Sequence, residues 1–238
     1  MELEPGYRDL APPAELRDTL ACVWVRVAGE PASVRVLPDA CSDLVWRAGE
    51  GASVAGPDTG AWLSELPAGA VVVGARFLPG AGGSALGLPL SELRNLRVPL
   101  AELAPELARE LDAQLEPRAA FDAVAGAAVR LAVTRPPDAA VRRASLMLAD
   151  PRARLHTLAD DLGWSERQLR RRFHASVGYG PKTLQRVLRF RRFLREATHA
   201  PDLARVAAEA GYADQAHLTR DCARLSGLTP SQLVLESR

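Results

Sequence analysis

The sequence is poor in the residues with which several classes of protein build their sites. Its three cysteines have no paired spacing, so they predict no disulfide framework and cannot alone form a tetrahedral zinc site. The first 140 residues contain no histidine, which argues against a histidine-based metal centre there. The chain also lacks a nucleophile-elbow motif, a phosphate loop and any apolar run near ~18 residues. We therefore expect no catalytic residue, cofactor, bound metal or membrane span.

The N-terminus and the cysteines also bear on cellular location. The segment MELEPGYRDL is polar and acidic, without the basic and apolar regions of a secretion signal. We expect a cytoplasmic, reducing environment, which suits a chain with few cysteines. Cys41 lies between Asp39 and Asp43, and neighbouring carboxylates raise the pKa of a thiol, so we interpret Cys41 as structural rather than redox-active.

Charge is distributed unevenly, although the formal net charge is only +1. Residues 1–140 contain 12 Lys/Arg and 19 Asp/Glu, whereas residues 141–238 contain 18 Lys/Arg and 10 Asp/Glu. Seventeen of those 18 basic residues are arginine, whose planar donors suit phosphate and guanine. The segregation predicts that only the C-terminal half meets a polyanion.

The N-terminal half has the texture of a β-rich domain. Turn residues separate the predicted strands, which are Leu20–Val27, Ser33–Leu37, Asp43–Arg47, Ala52–Ala55 and Ala70–Leu78. Residues 1–18 read as a polar lead-in, and Gly80–Gly87 reads as a flexible loop. Short strands with regular turns predict a small barrel or sandwich.

Helical periodicity follows the strands. Leucines four residues apart, at 103, 107, 111 and 115, predict one helix, and the apolar spacing from Phe121 to Leu131 predicts a second. Together they predict an αα-hairpin that serves either as a lid over the sheet or as a dimer face. Pro136 and Pro137 mark the domain boundary, because they disfavour helix and stiffen the chain. We expect a β-rich domain over residues 1–135, with the hairpin at its end, and a helical domain over residues 138–238.

The helical half contains one skeleton written twice. An alanine before a glycine, then Leu, Arg, Gly and Pro recur at an offset of 48 residues before the turn and 49 after it. Each copy predicts a helix-turn-helix, at about 155–176 and about 203–223. Gly163 and Gly211 end the first helix of each unit, and Ser165 and Asp214 are suited to cap the second.

The second helix of each unit has a sharply divided surface. Leu169 and Phe173 face inward in the first unit, as do Leu218 and Cys222 in the second. The outward side chains include long donors that suit the major groove. Arg172 of the run Arg167, Arg170, Arg171 and Arg172 points partly toward the first helix, so we assign it to phosphate contact or packing. Between the units lies an arginine-rich helix over about 182–197, which is ~24 Å long. Such a rod can hold the two recognition helices roughly one turn of DNA apart, the ~34 Å between successive major grooves on one face of the duplex.

The C-terminal region resembles the AraC/XylS family of transcription regulators. The resemblance rests on LADDLGWSERQLRRRFHASVGYGP, the arginine-rich helix, and VAAEAGYADQAHLTRDCARLSGLTPSQL. It implies that two recognition helices enter adjacent major grooves. The positions implied to read bases are Arg167, Arg170, Arg171, Gln215, Ala216, His217 and Arg220. The positions implied to face phosphates are Lys182, Thr183, Thr229 and Ser231. Cys222 departs from the family, which usually has an aromatic residue there.

The N-terminal region resembles β-rich sensor-like domains found ahead of such DNA-binding units, in the pieces Trp24, LPDACSDL at 37–44, Gly56-Pro57 and RFLPG at 76–80. This resemblance implies no particular ligand. Better-known relatives have a cupin-like barrel that binds small molecules and contributes to dimers, so a small-molecule effector and a homodimer are candidates by analogy of fold. Trp24, Trp46 and Arg76 are candidates to line a ligand pocket, although aromatic residues in a small barrel more often belong to the core. We thus expect an α+β chain in which a cupin-like domain precedes an all-α double helix-turn-helix domain.

These features predict a sequence-specific, bacterial transcription factor and not an enzyme. Its expected partner is a double-stranded promoter site, and RNA polymerase, a small-molecule effector and a second copy of the chain are further candidates. Two alternatives stay open. One is a DNA-docking repair or thiol-based enzyme that uses Cys22 or Cys41. The other is a protein-interaction regulator that acts through its β-rich domain.

Overall fold

The computed structural model describes residues 4–198 and 202–236. This part of the chain has a mixed α+β architecture, with strands first and helices after them, which confirms the predicted fold class. Its strands are β1 (Gly6–Leu10), β2 (Leu20–Val27), β3 (Ala32–Val36), β4 (Ser42–Arg47), β5 (Gly51–Ala55), β6 (Trp62–Leu66), β7 (Val71–Phe77) and β8 (Arg97–Pro99). The continuous apolar runs of β2 and β7 place them at the centre of the β-rich domain.

The strands form two antiparallel sheets that face each other. The larger sheet has the order β1-β2-β7-β4-β5-β8, and the smaller consists of β3 and β6. Trp24 and Val72 of the larger sheet pack with Val34 and Leu66 of the smaller one in a compact core. Among the described strands, β3 and β6 pair only with each other, and β1 and β8 are the edge strands of the larger sheet. Of the predicted barrel or sandwich, the two packed sheets match the sandwich.

Several strands and one helix lie where the sequence predicted none. β1 falls within the predicted polar lead-in, and β6 and β8 were not expected. The predicted flexible loop contains the short helix α1 (Gly82–Leu86). A Cβ at Gly82 would lie 2.0 Å from Ser42 Oγ, so glycine is needed here for close packing rather than for flexibility.

Helices cover the other face of the larger sheet. The leucine stripe lies on two short helices, α2 (Leu100–Leu103) and α3 (Pro105–Glu110), and on the turn after them. The chain breaks at Pro105 because proline disfavours helix in the residue before it, so the single predicted helix is wrong. The long helix α4 (Pro117–Thr134) buries Val124 and Ala128 against the sheet core, as the lid interpretation expects.

The helical half follows the predicted repeat. Its helices are α5 (Ala139–Met147), α6 (Leu155–Asp161), α7 (Glu166–Val177), α8 (Pro181–Ala197), α9 (Leu203–Ala210), α10 (Gln215–Ser226) and α11 (Pro230–Glu236). α6 with α7 and α9 with α10 form the two helix-turn-helix units, and α8 connects them. Over the described residues, no helix is both long enough and apolar enough to cross a bilayer.

One apolar core runs through both units. Phe173, Val187 and Phe190 are fully buried in it, together with Cys222 of the second unit. Ala40, from the loop between β3 and β4, belongs to this same core, although it comes from the β-rich domain. The two halves of the chain therefore share a packed interface.

Candidate nucleic-acid interface

The turns of the two units have the same backbone geometry. Gly163 and Gly211 adopt left-handed φ values of 62° and 94°, as predicted. After them, the Trp164 N–H donates to the carbonyl of Ala159 at 3.0 Å, and the Tyr212 N–H donates to that of Ala207 at 2.9 Å. The turns therefore deliver α7 and α10 from equivalent bends.

Both recognition helices begin with a side-chain cap. The hydroxyl of Ser165 accepts from the Gln168 N–H at 3.3 Å, and Gln168 Oε1 accepts from the Ser165 N–H at 2.9 Å. Asp214 Oδ1 accepts from the His217 N–H at 2.6 Å. These contacts confirm Ser165 and Asp214 as caps. The reciprocal bond from Gln168 was missed, although the spacing Ser-x-x-Gln is the signal of a capping box.

The inward faces of the recognition helices are buried as expected. Leu169 and Phe173 of α7 lie in the helical core, as do Leu218 and Cys222 of α10. Burial, helped by Asp221, raises the pKa of the Cys222 thiol to about 12. A small residue at this position does not leave the second unit open to solvent.

The outward faces carry exposed polar side chains. The predicted base-reading residues that are exposed are Arg167, Arg170 and Arg171 on α7 and Gln215, Ala216 and Arg220 on α10. His217 differs, because it is only partly exposed and its ring packs edge-on against Tyr212 at 5.1 Å. Its Nε2 lies 3.6 Å from Asp221 Oδ2. His217 is therefore less exposed than the other predicted base-reading residues, since α10 turns this side chain toward its own buried carboxylate.

Arg172, the fourth arginine of the α7 run, binds within the protein. Its guanidinium lies 4.6 Å from the centre of the Trp164 ring and donates to Asp138 Oδ2 at 2.6 Å. Of the two roles expected for it, phosphate contact or packing, the structure shows packing.

The predicted phosphate-facing residues occupy two different kinds of helix start. Lys182 is exposed and Thr183 half-buried at the start of α8, which has no side-chain cap. At the start of α11, the Thr229 hydroxyl accepts from the Gln232 N–H at 3.3 Å, and Ser231 is exposed. At α8 the Thr183 N–H donates to the Gly180 carbonyl at 3.0 Å, which leaves the Lys182 N–H without an acceptor among the described residues, whereas α11 has a side-chain cap.

The arginines of α8 bind protein groups instead of projecting freely. Arg186 pairs with Asp221 at 3.3 Å, and Arg189 donates to the Gly211 carbonyl at 3.2 Å. The remaining partners of this set are Asp39 for Arg191, Ala149 for Arg192 and Glu196 for Arg195. The sequence did not show this, because each partner except Glu196 is distant along the chain.

A basic cleft of about 620 Å³ lies between α8 and α10. Its lining residues are Leu155, Lys182, Gln185, Arg186, Arg189, His217, Arg220, Asp221 and Arg224. The cleft therefore joins Lys182, a predicted phosphate contact, to Arg220, a predicted base contact. Its charge is strongly positive, because Asp221 is the only acidic residue in the lining.

Two of the three ligand-pocket candidates meet at one carboxylate, and the third lies apart from them. Trp46 is fully buried on the helix-covered face of the sheet, where its Nε1 donates to the Asp112 carbonyl at 2.8 Å. Trp24 lies on the opposite face and donates to Asp43 at 3.2 Å. Arg76 is also bound to Asp43, at 3.0 Å. A single pocket lined by all three is therefore wrong, because Trp46 lies on the opposite face of the sheet from Trp24 and Arg76, which share Asp43.

The three cysteines are free and buried. Burial raises the pKa of Cys22 and, more strongly, that of Cys41, and Asp39 adds to the effect at Cys41. Both shifts disfavour the thiolate, which is the reactive form.

Comparisons with known proteins agree with this geometry. Residues 158–235 match a family described as a helix-turn-helix domain, and residues 8–99 match a domain of unknown function, DUF6597. A comparison with curated proteins found no match. Similar folds include apo ToxT, as a single-site variant from Vibrio cholerae strain SCE256, at 12% identity and TM-score 0.49, covering 91% of this chain and 97% of that one. Another is wild-type ToxT of that strain bound to an unsaturated fatty acid, at 13% identity and TM-score 0.45, covering 90% and 93%.

At such low identity and scores, the ToxT structures do not establish a function for this chain. The paired helix-turn-helix units and the family match do define a class, that of DNA-binding transcription regulators. Within this class, the chain carries an AraC-type helix-turn-helix domain at its C-terminus, behind an N-terminal DUF6597 domain.

Proposed function

We propose that this regulator reads a specific DNA site by inserting α7 and α10 into adjacent major grooves. The observation that carries the proposal is the exposure of equivalent faces on two equivalently capped helices. Arg171 and Arg220 occupy the same position of the repeat, 49 residues apart, and both are exposed. Arginine donates two parallel hydrogen bonds to guanine, the commonest specific contact in the major groove.

The other exposed side chains supply the remaining base contacts of the proposal. These are Arg167 and Arg170 on α7, and Gln215 and Ala216 on α10. His217 lines the cleft beside Arg220 and contributes from its edge. Since Asp221 lies next to His217, we assign this histidine a weaker base contact than Arg220.

Phosphate contacts in the proposal differ between α8 and α11. At α8, the Lys182 N–H has no acceptor within the described residues, and the Lys182 and Thr183 side chains lie beside it, a favourable place for an anion. At α11, Thr229 already accepts a backbone bond, so Ser231 is the freer hydroxyl. We therefore expect the α8 start to contribute more to affinity than the α11 start.

The experiment is titration of full-length protein with a duplex site obtained by in vitro selection, followed by fluorescence anisotropy. Arg220→Ala should cost about 1–3 kcal/mol and relax preference at one base position. Lys182→Ala should weaken all sequences alike and reduce the salt slope by about one. Arg118→Ala, which removes an exposed charge on α4, is the matched control and should bind normally.

Unchanged affinity and unchanged base preference in Arg220→Ala would refute the placement of α10. Failure of the selection to enrich any sequence would refute sequence-specific binding. A small-molecule effector, a homodimer, contact with RNA polymerase and a cytoplasmic location stay predictions.

A further inference from the structure

The β-rich domain seats the C-terminal end of the first recognition helix. A Cβ at Gly83 of α1 would lie 2.5 Å from the carbonyl oxygen of Ala175 in α7. Just beyond α7, a Cβ at Gly178 would lie 2.4 Å from Cγ of Pro57. Because neither glycine has room for a Cβ, the end of α7 packs closely against the β-rich domain and has little room to shift.

The same domain also holds the C-terminal end of the second recognition helix. Arg35 of β3 donates from its terminal guanidinium nitrogen to the carbonyl of Ser226, the last residue of α10, at 3.1 Å. Its Nε pairs with Glu236 Oε2 of α11 at 3.2 Å. A cation suits this position, because the last carbonyls of a helix lack internal partners and carry partial negative charge.

The loop between β3 and β4 packs against α8, the helix that joins the two units. Ala40 is buried in the helical core with a left-handed φ of 68°. Beside it, the Asp39 carboxylate pairs with Arg76 of β7 at 3.2 Å, and the Asp39 carbonyl accepts from Arg191 of α8 at 3.3 Å. The β-rich domain therefore contacts both units and the helix between them.

These contacts leave the proposed DNA-reading surface free. They fall at the C-terminal ends of α7 and α10, whereas Arg167 and Arg170 lie in the N-terminal half of α7, and Gln215 and Arg220 in that of α10. All four side chains are exposed. The domain thus holds the relative position of the two helices without covering the faces proposed to read bases.

We propose that Arg35 is a positioning residue for DNA recognition. By fixing the end of α10 to the domain that seats α7, it determines which separation of DNA half-sites the protein accepts. This inference rests on the proposed function, in which both helices read the same duplex.

The test measures tolerance to half-site spacing. The probes are the in vitro selected duplex and the same duplex with one base pair inserted between its half-sites. One base pair moves a half-site by about 3.4 Å and about 35°. Wild-type protein should lose about tenfold or more in affinity on the insertion. Arg35→Ala should bind the selected duplex less tightly and lose only about threefold on the insertion.

A control variant separates positioning from loss of charge. Arg8→Ala removes a partly exposed arginine of the same domain, whose side chain, within the described part of the chain, donates to the nearby Glu4 carbonyl. It should keep the wild-type ratio between the two duplexes. Arg35→Lys, which keeps the charge but loses the forked donors, should give an intermediate ratio.

A second variant tests the same idea from the first helix. Gly83→Ala places a methyl group against the Ala175 carbonyl and should change the spacing ratio by displacing α7. Gly126→Ala is its control, because a Cβ there would have Arg130 as its nearest neighbour at an ordinary 3.7 Å. Circular dichroism and thermal unfolding establish that each variant is folded. If Arg35→Ala does not fold, the spacing ratio of Gly83→Ala tests the proposal instead.

The outcomes distinguish this inference from the proposed function. If no sequence is enriched, the proposed function fails. If wild-type protein binds a selected site but tolerates the insertion, the inference alone is overturned. The same holds if Arg35→Ala and Gly83→Ala both keep the wild-type spacing ratio.

Discussion

The two helix-turn-helix units share a backbone design but use opposite charges to attach their recognition helices. Arg172 of α7 and Asp221 of α10 are equivalent positions, 49 residues apart. Arg172 pairs with Asp138 at the start of α5, at 2.6 Å, and Asp221 pairs with Arg186 of α8, at 3.3 Å. Each bond joins the recognition helix to the helix that precedes its unit. The repeat therefore preserves the attachment while exchanging the sign of its members.

The aromatic residue in each turn is also covered by an arginine, which comes from the same unit in one case and from α8 in the other. The Trp164 ring is covered by Arg172 of its own unit at 4.6 Å, whereas the Tyr212 ring is covered by Arg189 of α8 at 5.2 Å. In the first unit one arginine makes both contacts. In the second, α8 supplies Arg186 and Arg189 separately. The second unit thus depends on α8 for its orientation, and α8 belongs to the chain between the units.

The cores of the two units offer the largest expected contrast. Phe173 and Cys222 are equivalent and both fully buried. Phe173→Ala should lower the free energy of unfolding by about 3–5 kcal/mol, because it leaves a large cavity. Cys222→Ala removes one sulfur and should cost only about 1 kcal/mol. Urea unfolding followed by circular dichroism measures both.

Cys222→Phe sharpens this comparison by giving the second unit the aromatic residue of the first. Cys222 is fully buried in the helical core, so the larger side chain should destabilise by about 1–3 kcal/mol through overpacking. A gain in stability would instead show that the second core has unfilled volume.

Local sequence signals predicted the helical half well. The glycine turns and the caps Ser165 and Asp214 depend on residues within a few positions of one another. Burial of Phe173 and Leu218 follows from periodicity within single helices. Such features need no knowledge of the rest of the fold, and the structure confirms them.

Features that depend on distant contacts were missed. β1 is exposed along most of its length, so it lacks the alternation that reveals a strand. The partner of Arg186 is 35 residues away in sequence, at Asp221, and that of Arg191 is Asp39. The i, i+4 spacing of His217 and Asp221 was visible in the sequence, but the burial of Asp221 was not. At the candidate site, the helices were therefore predictable, but the orientation of individual charges was not.

The two ion pairs that attach the recognition helices, Arg172–Asp138 and Asp221–Arg186, give the next contrast. Asp221→Ala should destabilise by about 2 kcal/mol, because it leaves Arg186, a mostly buried cation, without its partner. Arg172→Ala should cost about 0.5–1 kcal/mol, since both members of its pair are more exposed. Asp138 keeps its role as the cap of α5 in this variant. Urea unfolding again measures the difference.

A double-mutant cycle tests whether Arg186 is the reason for the cost at Asp221. If it is, Arg186→Ala together with Asp221→Ala should cost clearly less than the sum of the two single changes. Strict additivity would mean that Asp221 stabilises α10 through other neighbours, such as His217.

The smallest contrast concerns the helix caps. Ser165→Ala and Asp214→Ala should each cost about 1 kcal/mol, because each leaves a backbone N–H without its acceptor. Asp214 also places a negative charge at the positive end of α10, a contribution of a few tenths of a kcal/mol that salt screens. Asp214→Asn keeps the acceptor without the charge, so it should lose only that part. Thermal unfolding at low and high salt measures this, and an Asp214→Asn loss as large as that of Asp214→Ala would show that charge, and not the cap, holds the start of α10.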